Sequence, residues 1–167
     1  MLVAADTNVL LDQANGEGDV IEAISIIQDR LENVRLIVTP TVLHELAWAV
    51  DHDDDPETRS AATKALVNLL QWGYEPLSVV PVGHGIIEQI SLKLRVAGVL
   101  PDEEINDAYV IAEAALSGCQ ILLSADSHLV GAQEHPDFRQ ILKDFDVEGQ
   151  IVIARPRTIV RKYFRSG

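Results

Sequence analysis

Short apolar runs alternate along this chain with longer segments whose apolar residues recur at helical spacing. That alternation points to strands and crossover helices arranged around a parallel sheet. The runs are Leu2–Ala5, Leu36–Val38, Leu77–Val82, Ile121–Ser124 and Ile151–Ala154. Between and after them the pattern predicts helices over Val20–Leu31, Pro40–Val50, Glu57–Trp72, Ile86–Ala97, Asp102–Ser117 and Pro156–Phe164. Thr39 offers a capping hydroxyl ahead of Pro40 in a first turn, and Gly73, Gly98 and Gly118 stop three of the helices. Asp51–Pro56 reads as a polar loop, and His135–Asp146 has no decisive pattern. No internal repeat and no Pro- or Ser-rich linker interrupts the chain, so residues 1–167 are expected to form one α/β domain.

Composition narrows the setting. No apolar run approaches the roughly 20 residues that span a bilayer. The short apolar segment at the N-terminus has no basic stretch ahead of it, unlike a signal peptide. A cytoplasmic protein without membrane contact is therefore expected. Cys119 is the only cysteine, which excludes an internal disulfide and a thiolate metal cluster.

The 26 acidic residues outnumber the 13 basic ones, for a net charge of −13, which opposes a bulk electrostatic grip on nucleic acid. Every acid lies before residue 150, whereas Arg155, Arg157, Arg161, Lys162 and Arg165 fall in the last eighteen residues. The basic segment 155–167 suits either contact with RNA phosphates or a solvated helix end. Asp exceeds Glu by 14 to 12 and Arg exceeds Lys by 9 to 4, a balance that also fits a salt-rich cytoplasm.

Four acids stand out against this background. Ligands of open parallel sheets bind beyond the carboxyl ends of the strands, and Asp6 and Asp126 sit at or just past two such ends. Either can also cap a short helix after it. Asp107 falls on its predicted helix among Val110, Ile111 and Ala114, about 100° from a polar stripe of Asn106, Glu113 and Ser117. A carboxylate in apolar surroundings needs a partner, which is an ion pair, a hydrogen-bond donor or a metal ion. Glu45 lies at the edge of the face formed by Val42, Leu46, Ala49 and Val50, where solvation alone would also satisfy it.

The chemistry that joins such acids is hard-cation binding. Mg²⁺ and Mn²⁺ prefer oxygen ligands, carboxylates clustered without a cation raise one another's pKa, and paired ions can activate water against a phosphodiester. No His/Cys zinc spacing, Ser-His-Asp set or phosphate-binding glycine loop competes.

Four stretches in order carry a resemblance: Ala5–Asp12, Thr41–Leu46, Ile105–Ala112 and Leu122–Asp126. Together they resemble the PIN domain family, especially its VapC-like toxins, from residue 2 to about 154. The resemblance implies a three-layer α/β/α fold with a central, mostly parallel sheet of four to five strands. It implies Mg²⁺- or Mn²⁺-dependent endoribonuclease activity on an RNA substrate, often a homodimer, and a possible antitoxin protein as partner. It implies Asp6, Glu45, Asp107 and Asp126 as the metal-binding quartet, Asp6 and Asp107 being central, with Asn8 and Ser124 orienting a carboxylate or water.

This chain is longer and far more acidic than typical VapC toxins. A phosphotransferase of the haloacid dehalogenase kind wants an acid where Asn8 stands and a lysine near the site, and the sequence provides neither. A PIN-like module that binds metal, RNA or protein without cutting is the remaining alternative, and the net charge is its support.

Overall fold

In a computed structural model of the chain, which describes residues 1–147 and 149–164, the apolar run at the N-terminus forms the middle strand of a five-stranded sheet. This strand, β1 (Leu2–Ala5), pairs with β2 (Arg35–Val38) on one side and β4 (Ile121–Leu123) on the other. β3 (Tyr74–Pro76) lies outside β2 and β5 (Val152–Ala154) outside β4, giving the order β3-β2-β1-β4-β5 with every pair parallel. Val3, Ala4, Leu36, Val38, Leu122 and Leu123 are all buried, as strands covered on both faces must be.

Nine helices complete the described residues: α1 (Thr7–Asn15), α2 (Gly18–Arg30), α3 (Pro40–His52), α4 (Pro56–Asn68), α5 (Pro81–Val96), α6 (Ile105–Leu116), α7 (Ser127–Ala132), α8 (Phe138–Lys143) and α9 (Pro156–Phe164). The chain moves outward from β1 to β2 and β3, then returns past β1 to β4 and β5. Right-handed crossovers therefore place α1, α2 and α4 on one face and α5, α6 and α8 on the other. The contacts of α1 with α2 and α4, and of α5 with α6 and α8, follow that division, and α9 packs back on α2. The result is the three-layer α/β/α architecture expected. No helix among the described residues is long and apolar enough to cross a membrane.

Four sequence expectations need correction, the last of them the cap of α3. The strand expected over Leu77–Val82 instead occupies Tyr74–Pro76, starting directly after Gly73, whose φ of 83° reverses the chain. Its proline is tolerated because β3 is an edge strand, and Pro81 opens α5 rather than lying in a strand. The helix expected from Asp102 begins at Ile105, with Glu104 in the N-cap position. Glu113, assigned to a solvent stripe, is only 4% exposed. Helix α6 is apolar nearly all round, with Ala108 and Val110–Ala115 buried, so it has no solvent face at that level. The ambiguous stretch contains α8, and α9 spans the predicted range.

Glu113 has a definite role. Its Oε1 accepts the Thr41 hydroxyl at 2.8 Å and its Oε2 accepts the Thr41 backbone N–H at 3.1 Å, at the start of α3. Thr39, expected to cap that helix, makes no side-chain cap bond, and its buried hydroxyl has no partner among the described residues. A carboxylate from α6 thus satisfies the positive end of α3. One turn further along α3, Glu45 meets Asn106 at the very start of α6. Advancing along α3 means moving back along α6, so the two helices run antiparallel there. The hairpin of α3 and α4 consequently rises past the carboxyl rim of the sheet and forms a wall above it.

Candidate functional site

β1 and β4 are neighbours whose onward connections lead in opposite directions across the sheet. The crevice at their carboxyl ends is where open α/β sheets bind ligands. Asp6 directly follows β1 and Ser124 directly follows β4. Asp6 is 4% exposed and is held by three donors. The Thr7 N–H reaches its Oδ1 at 2.7 Å, and Asn8 Nδ2 and the Ser124 hydroxyl both reach its Oδ2 at 2.9 Å. Asn8 and Ser124 also tie the two strand ends together. The Asn8 Oδ1 accepts the Ala125 N–H at 3.0 Å, and the Ser124 Oγ accepts the Asp126 N–H at 3.0 Å.

The other three acids converge from different elements. Asp126 caps α7, its Oδ1 accepting the N–H groups of His128 at 2.6 Å and Leu129 at 3.2 Å. Its Oδ2 receives no donor among the described residues. Glu45 projects from the α3 wall, with Oε1 accepting Asn106 Nδ2 at 2.8 Å and Oε2 accepting the Thr7 hydroxyl. Asp107 lies in the first turn of α6, half-buried, and no donor among the described residues reaches its carboxylate. All four acids, with Asn8, line one cleft of about 600 Å³. Asp6 and Asp126 therefore cap their helices and line the cleft at once.

The electrostatics record this convergence. Burial pushes the Asp6 carboxyl up to about 6, against the bonds from Ser124 and Thr7 that pull it down, and the charges of Glu45 and Asp126 add to the rise. Burial also pushes Asp107 up to about 7, helped in turn by Asp6, Asp126, Glu104 and Glu45.

Several cleft residues escaped the sequence reading. Thr7 and Asn106 bond Glu45, and Trp48 and His44 line the wall. His128 Nδ1 lies 3.0 Å from Glu104 Oε1, and one ligand atom from each of Glu104, Asp107 and His128 falls within 4.8 Å of the others. Glu104 makes no cap bond to its own helix, although it occupies the N-cap position. The available signal was adjacency, since these residues stand within three positions of Asp6, Glu45, Asp107 or Asp126.

The basic segment divides. Arg155 and Arg157 line a recess beside the rim together with Asp12, Asp19 and Ala125, and Arg157 Nε approaches Asp19 Oδ2 to 3.9 Å. Arg161 is exposed on α9. Lys162 lies over the Tyr163 ring, 5.7 Å from its centroid, beside an apolar groove between α2 and α9 and away from the quartet. Arg165 and the rest of 165–167 lie outside the described residues.

The donor set fits a hard divalent cation. It offers carboxylate oxygens from four segments; among the described residues no donor reaches Asp107 or the Oδ2 of Asp126, and no thiolate lines the cleft. Asp107 and the Oδ2 of Asp126 would be the most available ligands, with Asp6 and Glu45 pre-oriented by their own hydrogen bonds.

Residues 3–134 match the PIN domain. Among solved structures, the chain is similar to a VapBC2 complex from Rickettsia felis bound to a DNA fragment from its promoter. The TM-score is 0.64 at 13% identity, covering 93% of this chain and 98% of the other. It is also similar to VapBC-1 from nontypeable Haemophilus influenzae, with TM-score 0.58, 16% identity and coverage of 93% and 98%. A third is VapBC-5 from Mycobacterium tuberculosis, with TM-score 0.53, 18% identity and coverage of 92% and 98%. At these identities the likeness speaks for the fold. A search of curated protein sequences found no match.

Proposed function

The chain belongs to the PIN domain family, and from that premise we propose that it is a metal-dependent endoribonuclease that hydrolyses RNA phosphodiester bonds at the cleft beyond β1 and β4. The observation that carries this reading is Asp107. It is a half-buried carboxylate with four acidic neighbours raising its pKa and no protein donor among the described residues. Such a group is stabilised by a cation, not by its own fold.

Asp6, Glu45, Asp107 and Asp126 hold the ion or ions. Asn8 and Ser124 position Asp6, and Thr7 and Asn106 position Glu45. Mg²⁺ or Mn²⁺ bound there supplies an acidified water and neutralises charge on the phosphate being cut. The wall of α3 and α4 confines one side of the substrate path. Arg155 and Arg161 provide phosphate contacts outside the quartet, and the toxin–antitoxin assemblies among the structural neighbours support an antitoxin protein as partner. A homodimer is part of the same reading.

A second reading keeps the fold and the cation but not the cutting, and the net charge of −13 favours it. Incubating wild type, Asp6→Asn and Asp107→Asn with mixed single-stranded RNA and Mn²⁺ separates the two. The nuclease reading expects cleavage by wild type and a loss on the order of 10³-fold in each variant. Metal binding without cleavage under Mg²⁺ or Mn²⁺ would leave the silent module in place.

A further inference from the structure

The net charge poses a binding problem that the quartet does not solve. A body carrying 26 acids repels a polyanion, so affinity for RNA has to come from something other than the bulk field. Trp48 answers it. On α3, one turn beyond Glu45, it lines the cleft together with the carboxylates and is 52% exposed. Its indole stacks on the His52 ring, with centroids 5.2 Å apart and planes 14° from parallel. His52 is itself held to the helix, its Nδ1 3.1 Å from the Trp48 carbonyl oxygen. Leaving a tryptophan half in water beside a charged cleft forgoes one of the largest gains in burial a side chain offers.

We propose that Trp48, backed by His52, is a stacking surface for an unpaired base, so that the cleft grips its strand by a base and not by its phosphates alone. This rests on the nuclease reading of the same cleft. Base–aromatic stacking is indifferent to the sign of the protein's charge and tolerant of sequence, because every base presents a π-face. Double-stranded RNA keeps its bases inside the helix and presents none to Trp48.

The test uses a fluorescein-labelled, mixed-sequence 2′-O-methyl oligoribonucleotide, which lacks the free 2′-hydroxyl, with binding read by anisotropy in Mg²⁺. Trp48→Ala is expected to weaken binding about tenfold, and Trp48→Phe to stay within about threefold of wild type. The salt slope should not change in either variant, because every phosphate keeps its charged partner. With Trp72→Phe as background, the emission of Trp48 should be quenched as the oligonucleotide binds. On a cleavable strand, Trp48→Ala should raise KM and leave kcat nearly unchanged.

Unaltered affinity in Trp48→Ala, equal affinity for duplex and single strand, or absent quenching would overturn the proposal. So would a change of oligomeric state in Trp48→Ala with RNA affinity intact, which would assign the indole to a protein interface. The two readings fail separately. If Asp107→Asn still cuts while Trp48 is quenched, the assignment of the metal site falls and the stacking surface stands. If Asp107→Asn is dead and Trp48→Ala binds as wild type, the reverse holds.

Discussion

Helix α6 carries two carboxylates six residues apart that solve the same problem in opposite ways. Glu113 is the more buried, yet it is paired with the hydroxyl and backbone N–H of Thr41, at the positive end of α3. Asp107 is less buried, has four acids and the His128 ring as neighbours, and accepts no donor among the described residues. The first charge is settled by the fold itself. The second is left unsettled, and a residue kept in that condition is available to a ligand. Burial alone does not tell a carboxylate that the fold has paired from one it has left unpaired, whereas the surroundings of each do.

The sharpest way to break this contrast is to remove each charge in turn. Glu113→Ala strands two donors at the start of α3 and opens a small cavity, so unfolding should become easier by about 2–4 kcal/mol. Asp107→Asn relieves repulsion and should leave stability within about 0.5 kcal/mol of wild type or raise it. Denaturant midpoints without added metal give both numbers. A costly Asp107→Asn beside a harmless Glu113→Ala would exchange the two roles.

Metal addresses the same pair from the other side. If a cation settles Asp107, Mg²⁺ at a hundredfold excess over its Kd should stabilise wild type by about 2.7 kcal/mol, a rise in Tm of roughly 5–10 °C for a domain of this size. Glu113→Ala should keep that increment and Asp107→Asn should lose most of it. An equal rise in all three proteins would place the binding elsewhere.

The pH dependence follows from the raised carboxyls. Asp6 and Asp107 titrate at about 6 and about 7 in the folded chain, above their ordinary 3.8. Folding therefore favours their protonated forms. Their contribution to stability is fully present below about pH 4, is lost as pH rises through 6 and 7, and is flat above. In EDTA, the Tm of wild type should fall across that window more steeply than the Tm of Asp107→Asn. A fall of the same steepness in both would show that Asp107 is not the group involved.

Much of this was legible in the sequence. Strand ends and helix starts are local features, so the apolar runs gave four of the five strands, and Asp6 and Asp126 could be set at strand termini without a structure. Asp107 was recognisable because its apolar neighbours share its helix. Glu113 was misplaced for the same reason, since a wheel compares a residue only with its own helix. What decides its environment is Thr41, 72 positions away. Thr7, Asn106 and Trp48 were missed likewise, because a hydrogen bond or a cleft wall between elements leaves no periodic mark. Leu77–Val82 looked like a strand on β-propensity, but the ladder beside β2 is taken up by the residues immediately after Gly73.

The smallest expected effect concerns the basic segment, which differs from the quartet in being exposed and dispersed. Deleting it would be a poor test, because Ile159 is buried and α9 packs on α2, so truncation would damage the core. Replacing Arg155 and Arg161 by alanine removes charge alone. If both touch phosphate, the dependence of log affinity on log salt for the 2′-O-methyl strand should flatten by about 0.7 for each phosphate no longer neutralised. Arg157→Ala should change it less, because Asp19 already lies against that guanidinium. An unchanged slope in the double variant would leave α9 as a packing helix whose charges serve solubility, and would leave RNA affinity to the cation and the exposed indole.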